Sequence, residues 1–160
     1  IVSMKTVLEN GGKSVGAMSD SFAKKIRERE AREYLFEERL LLLSPFHPNA
    51  PFNVANAMSR NKLIYALADY AVVVASDLET GGTWAGATEN LRKAYAPMLV
   101  RSEIDAPAGN RALVGKGAAP LAGCELEQSD FDLRQLFAQK SFSNAAPVPD
   151  TNQQLGLFEA

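Results

Sequence analysis

The sequence has 160 residues, 46% of them hydrophobic, an ordinary composition for one globular domain with a sizeable core. Its 17 Lys and Arg residues and 19 Asp and Glu residues give a formal net charge of -2. Bulk electrostatics therefore supply no argument for binding nucleic acid or membranes, and any basic site must be local. One cysteine and one histidine exclude an internal disulfide and fall short of a metal-ligand set.

No apolar run approaches the ~20 residues that a membrane span requires, and no secretory leader precedes the first charged segment. We therefore expect a cytoplasmic protein without a membrane-spanning helix. The chain begins at Ile1 rather than at a methionine, and we expect residues upstream of it to be missing.

Short apolar runs predict four buried strands, and segments with helical spacing lie between them. The predicted strands cover 14–18, 40–43, 70–75 and 98–100. This alternation predicts an α/β fold with a parallel sheet flanked by helices. In such sheets, ligands usually bind where the loops after the strands share one edge.

Three features of the first half are predicted to be structural. "GGKSVG" (11–16) is not a phosphate-binding P-loop, because Val7 stands where that motif needs glycine, and it is predicted to be a turn. The charged segment 21–39 alternates in sign and predicts a solvated helix with weak ion pairs. His47 lies between two prolines in a predicted loop, and no second ligand is near it in the sequence.

The segment "NAMSRNKLIYALAD" (56–69) predicts a helix that carries polar residues near its apolar face. That face consists of Ala57, Ile64, Leu67 and Ala68. Arg60 and Asn61 lie close to it, and polar groups there need partners. They either bond to backbone carbonyls or reach over the sheet edge, whereas Lys62 points outward and adds charge at the rim.

A glycine pair follows the third predicted strand. Gly81, Gly82 and Thr83 come directly before a helix whose predicted inner face is Trp84, Ala87, Thr88, Leu91 and Tyr95. Free N–H groups at a helix start bind anions, and glycines let a phosphate approach the backbone. Thr83 can cap the helix or donate its hydroxyl to the ligand. The alternative is a tight turn without a ligand.

The sequence after Pro120 predicts little packed structure. Segment 125–140 predicts one short amphipathic helix, and 141–160 lacks the periodicity of a core. The predicted organisation is a domain over 1–122, a short helix or linker over 123–140 and a flexible tail over 141–160.

Three stretches occur in an order that resembles the DNA-processing protein A family (DprA, also called Smf). They are "SRNKLIYALADYAVVVASDLETGGTWAGATENL", "PMLV" and "GNRALVGKGAAPL", within about residues 12–121. The resemblance implies a Rossmann-like domain that binds single-stranded DNA, forms a homodimer and hands the strand to the recombinase RecA, with no cofactor. The glycine-rich motifs expected upstream are absent, and "SVGAMSDSFAKK" replaces a Gly-Leu-Asp and Tyr-Pro segment, as in a truncated or divergent member.

The resemblance also implies site residues. Arg60, Asn61 and Lys62 would line the DNA site, and Gly81, Gly82 and Thr83 would cradle phosphate. Asn110, in the "GN" that the family places in a turn, would support the same pocket from the following loop.

The same region is similar to the phosphoribohydrolase family that cleaves cytokinin nucleoside monophosphates. In that alternative, Arg60 and Glu89 would be the catalytic pair. "GGTWAG" lacks that family's order of glycine and threonine, and Glu89 falls later than its acid.

The tail contains "QLGLF" (154–158), which resembles the pentapeptide by which bacterial replication and repair proteins bind the DNA sliding clamp. The matching residues are Gln154, Leu155, Leu157 and Phe158. Apolar side chains in a short peptide can anchor it in a groove. A third expectation is therefore a non-catalytic partner-binding module of DNA repair.

Overall fold

The computed structural model describes residues 2–127, 131–140 and 142. The chain divides into two compact units, Ile1–Ile64 and Tyr65–Ala160. Each unit contains parallel strands joined through helices, which confirms the predicted α/β class.

The first unit is built around two parallel strands. Its elements are α1 (Val2–Glu9), β1 (Ser14–Ala17), α2 (Phe22–Lys25), α3 (Arg29–Phe36) and β2 (Leu40–Leu43). Ser14 lies opposite Leu40 in the register, and Ala17 lies opposite Leu43. A small core lies on one face of this pair, formed by Leu8, Ala31, Leu40 and Leu42. "GGKSVG" includes a turn at Gly11 and then enters β1.

The charged segment forms two short helices rather than the single helix that was predicted. Phe22 and Ala31 both pack in the core of the first unit. Nine residues correspond to about two and a half turns of α-helix, so a continuous helix would place these two side chains on opposite faces. Arg27 and Glu28 instead form tight turn bonds to Lys24 and Lys25, and the chain turns before α3 begins. The need to bury both side chains explains the break.

Helix α4 (Val54–Ala66) carries the Arg-Asn-Lys segment and crosses the boundary between the units. Part of its predicted apolar face was wrong, because Ile64 is 43% exposed and Leu67 is 67% exposed. Tyr65, one residue along, packs against the core of the second unit instead. The helix ends at Ala66, so Leu67 and Ala68 lie beyond it. The difference is confined to the C-terminal end of α4, where Tyr65 replaces Ile64 as the packed residue, whereas Ala57, Arg60 and Asn61 are half-buried as expected.

The second unit contains three parallel strands in the order β3-β4-β5. Its elements are β3 (Ala71–Val73), α5 (Gly81–Lys93), β4 (Met98–Arg101), α6 (Ala108–Gly115), β5 (Ala119–Leu121), a 3-10 turn (Gly123–Glu125) and α7 (Leu133–Gln139). Ala71 lies opposite Met98, and Leu99 lies opposite Ala119. The predicted short helix after residue 122 is present as α7.

Both faces of this sheet are covered, since alternate residues of β4 point to opposite sides. Met98 and Val100 pack with Ala87 of α5 and Leu113 of α6. On the other side, Leu99 packs with Leu136 and Phe137 of α7. The Phe137 ring stacks on Tyr70 with 3.9 Å between centroids.

The sequence did not predict β5. The strand has only three residues, and the central one is Pro120, which cannot donate to a ladder. Proline is tolerated here because β5 ends the three-stranded order.

No helix in the described part of the chain is both long enough and apolar enough to cross a membrane. The predicted tail over 141–160 lies outside the described residues except for Phe142.

Candidate phosphate-binding site

The first turn of α5 presents backbone to solvent. Gly81, Gly82 and Thr83 are exposed and begin this helix of 13 residues. The preceding residue, Thr80, makes no side-chain capping hydrogen bond. The first N–H groups of a helix have no partner within it, and the helix dipole adds partial positive charge there. This end of α5 can therefore accept a negatively charged oxygen.

Backbone conformation shapes the approach to that turn. Gly81 has φ 80°, and a Cβ built on it meets no atom within 4 Å. Glu79, two residues earlier, also lies in the left-handed region with φ 56°. Such conformations are costly for residues other than glycine and persist only where the surroundings impose them. The loop before α5 thus has a defined shape that the rest of the unit must hold.

Asn110 on α6 holds this loop through its side chain. Its Oδ1 accepts the Ser76 N–H at 2.8 Å, and its Nδ2 donates to the carbonyl of Val74 at 3.0 Å. Nδ2 also donates to the carbonyl of Arg101, at the end of β4, at 2.9 Å. Asn110 therefore ties the loop after β3 to the end of the neighbouring strand. "GN" lies in the first turn of α6 rather than in the expected turn outside a helix.

The body of α5 is anchored in the core. Gly86, Ala87 and Asn90 are buried, while Trp84 and Leu91 pack at the edge of the core cluster. This agrees with most of the predicted inner face, although Tyr95 lies beyond the helix end and is exposed. A fixed helix gives its N-terminal N–H groups a fixed direction.

Two acidic side chains oppose anion binding at this place. Asp77 and Glu79 are exposed in the loop that leads into α5. Sequence reasoning did not weigh them, although both lie within four residues of Gly81. Their negative charge lowers the affinity of the helix start for phosphate.

The Arg-Asn-Lys segment lies on α4 and belongs to the first unit. Arg60 donates from Nη1 to the carbonyl of Ala17, the last residue of β1, at 3.0 Å. Its Nε is buried and has no hydrogen-bond partner in the described part of the chain. Asn61 is half-buried and Lys62 is exposed. The sequence left two alternatives for Arg60, a bond to a backbone carbonyl or a reach over the sheet edge, and the structure shows the bond to a carbonyl.

The structure brings some of the predicted residues together. Arg60, Asn61 and Lys62 are consecutive on α4, and Asn110 contacts the loop that ends at Gly81, Gly82 and Thr83. The two groups belong to different units. Within the described residues, no group of three or more His, Cys, Asp or Glu side chains is placed to hold a metal.

Comparison with known protein families gives the family of the chain. A family model described as DNA recombination-mediator protein A matches residues 1–129, most of the chain. The chain belongs to this family. No curated protein and no solved structure matches the chain. Membership in the DNA recombination-mediator protein A family supports a DNA-processing role in recombination or transformation, and the parallel α/β units agree with its expected Rossmann-like fold.

The residue predicted for the hydrolase alternative lies away from the start of α5. Glu89 is largely buried and lies 3.8 Å from Arg92 in an ion pair. It lies eight positions after Gly81, which is about 12 Å along a helix axis. The two predicted catalytic residues, Arg60 and Glu89, belong to different units.

Sequence reasoning missed two further residues of the candidate site. Ser76 is buried and donates its backbone N–H to the Asn110 side chain, while Gly109 packs against the same loop. The Gly-Asn pair after Pro107 was the available signal, but its contact with residues more than thirty positions earlier could not be inferred. The predicted partner residues Gln154, Leu155, Leu157 and Phe158 lie outside the described residues.

Proposed function

We propose that this member of the DNA recombination-mediator protein A family binds single-stranded DNA through its phosphates. The observation that carries the proposal is the exposed first turn of α5, which has no capping side chain at Thr80 and begins after a parallel strand. Helix starts in this position are common phosphate sites in open α/β sheets. The family's role in recombination supplies the reason to name DNA as the source of the phosphate.

The proposed binding reads backbone rather than sequence. Backbone N–H groups and Thr83 can bond to any phosphate, and such contacts carry no information about the bases. Trp84, the nearest aromatic side chain along α5, packs against the core. We therefore expect similar affinity for different single-stranded sequences and a strong dependence on salt.

The Arg-Asn-Lys segment is proposed as a second place of contact. Lys62 is exposed on α4, and Arg60 keeps its guanidinium at the carboxyl end of β1. Each cation that contacts a phosphate releases counterions and steepens the salt dependence. Asn61 is proposed to contribute hydrogen bonds on the same helix.

A pair of glycines provides a matched test. Gly81 and Gly11 both have φ 80°, and a Cβ built on either meets no atom within 4 Å. Alanine at either position adopts a left-handed conformation at a similar cost, ~1–2 kcal/mol. Only Gly81→Ala disturbs the start of α5.

We expect labelled oligothymidine to bind the wild-type chain in a fluorescence anisotropy titration, with affinity that falls as salt rises. Gly81→Ala should weaken binding by about tenfold, the equivalent of 1.4 kcal/mol, while Gly11→Ala should leave it unchanged. Equal affinities of the two variants would count against the α5 site. Absence of binding by the wild-type chain would overturn the proposed function.

Hydrolysis of nucleoside monophosphates is the alternative function that the sequence raised, and it can be tested directly. Incubation with nucleoside monophosphates would release free base if the chain were a phosphoribohydrolase, and Glu89→Gln would abolish the release. We expect no release, since Glu89 lies well along α5 and is paired with Arg92.

Further partners are proposed from the resemblance alone. They are a second copy of the chain, RecA as acceptor of the bound strand, and the sliding clamp through the tail peptide. A role on DNA entering the cell would place the protein in the cytoplasm. A clamp pull-down with the full chain and with a chain lacking residues 150–160 tests the tail; equal recovery would contradict it.

A further inference from the structure

Asn110 has no donor left to offer a phosphate. A side-chain amide carries two N–H donors, and both Nδ2 bonds of Asn110 go to backbone carbonyls, of Val74 and of Arg101. Its Oδ1 accepts the Ser76 N–H. The residue is also fully buried, with an exposed fraction of 0%. All of these hydrogen bonds join Asn110 to the backbone of the protein itself.

Gly109 brings the backbone of α6 against the same loop. A Cβ on Gly109 would overlap the carbonyl oxygens of Ser76 and Asp77. Both neighbours are backbone atoms, which cannot swing aside as a flexible side chain does. Glycine is required here so that the loop can lie directly on the first turn of α6.

The two contacts define a clamp of Gly109 and Asn110 on the segment 74–77. Only three residues separate Asp77 from Gly81, so the position of this segment directs the chain into α5. The left-handed conformation of Glu79 further restricts the backbone of that short connection. Loss of the clamp would let the start of α5 sample other arrangements.

We infer that Gly109 and Asn110 are positioning residues for DNA binding, which hold the loop 74–80 in the shape that exposes the first turn of α5 and do not themselves touch the strand. The inference rests on the proposed function. Apparent affinity falls in proportion to the fraction of molecules whose loop is correctly placed.

A second buried asparagine gives a matched control. Asn90 is buried and also bonds through its side chain to backbone, accepting the Ala96 N–H at 2.9 Å and donating to the Ala96 carbonyl at 2.8 Å. It secures the end of α5 rather than its start. Asn90→Ala and Asn110→Ala each remove bonds between a buried side chain and the backbone, but only Asn110→Ala releases the loop.

Oligothymidine affinity should be measured for both variants at a temperature where each is folded by circular dichroism. We expect Asn110→Ala to lose about tenfold in affinity, as when the competent fraction falls to a tenth, and Asn90→Ala to bind like the wild type. Equal affinities of the two variants, with wild-type binding intact, would overturn the inference and leave the proposed function standing. Absence of wild-type binding would overturn both.

Glycine variants keep the test decisive if Asn110→Ala does not fold. Gly109→Ala pushes the loop away without removing a hydrogen-bonding side chain, whereas Gly115→Ala, on the same helix, places its Cβ in open space. Weaker DNA binding by Gly109→Ala alone supports the clamp. Equal binding by the two variants contradicts it.

Discussion

The two units of the chain differ in charge and in how they present groups for binding. Residues 1–64 carry ten Lys and Arg against seven Asp and Glu, whereas residues 65–160 carry seven against twelve. Arg60 and Lys62 thus belong to the basic unit, and the glycine start of α5 belongs to the acidic one. An anion site in the second unit must therefore rely on directed N–H groups, since the net charge of that unit repels DNA.

Core packing separates the units most strongly. Leu113 is completely buried in the second unit, whereas Leu41, on β2 of the first, is more than half exposed. We expect Leu113→Ala to lower the free energy of unfolding by ~2–5 kcal/mol and Leu41→Ala by less than ~0.5 kcal/mol. Urea unfolding measures both. Similar losses for the two variants would mean that Leu41 is covered by something that the described contacts do not include.

Charge in the first unit can be tested with two arginines. Arg29 is exposed and paired with Glu33 at 3.0 Å, while Arg60 is the predicted DNA contact. Arg60→Ala should lower the slope of log affinity against log salt by about 0.7 and weaken binding to oligothymidine. Arg29→Ala removes the same charge from the same unit and should change neither. An unchanged slope in Arg60→Ala would remove Arg60 from the site.

Removal of a negative charge near α5 should have the opposite effect on DNA affinity. Glu79 and Glu38 are both exposed and have φ 56° and 55°, but Glu79 precedes the start of α5 by two residues, whereas Glu38 belongs to the first unit. Glu79→Gln should raise the affinity for oligothymidine about two- to fivefold, since it removes a repulsive charge near the helix start. Glu38→Gln serves as the control. No gain in Glu79→Gln would place the phosphates elsewhere.

An ion pair between Glu125 and Lys140 in the second unit should give the stability of the fold a weak dependence on pH in the acid range. Lys140 lies 2.6 Å from Glu125, and this hydrogen-bonded pair lowers the pKa of the Glu125 carboxyl from its ordinary value of 4.5. A lowered carboxyl pKa stabilises the fold above about pH 4.5, and this contribution is lost as pH falls through the lower folded value. Thermal melts of Glu125→Gln should show a smaller loss in acid than the wild type; identical profiles would contradict the assignment.

Periodicity predicted the strands of this fold well because their central residues are continuous apolar runs. The four predicted strands all occur, and α5 buries Ala87 on the predicted face. Elements whose sequence pattern is interrupted were harder to predict. Pro120 hid β5, and the burial of Phe22 and Ala31 in one core broke a helix that local charge spacing favours.

The site could be predicted only where neighbouring residues carry it. The glycines at the start of α5 could be predicted because they follow an apolar strand and precede a helix in the sequence. The bond between Asn110 and Ser76 joins positions 34 apart, and no local pattern encodes such a distance. The sequence also did not show that Tyr65 rather than Ile64 packs at the end of α4, because both side chains are apolar enough to face a core.

The start of α5 can be observed directly by NMR. The amide signals of Gly81, Gly82 and Thr83 should be followed while oligothymidine is added to the full chain. We expect these amides to shift together and to saturate at the DNA concentration that saturates binding. DNA binding with these three amides unshifted would contradict this expectation.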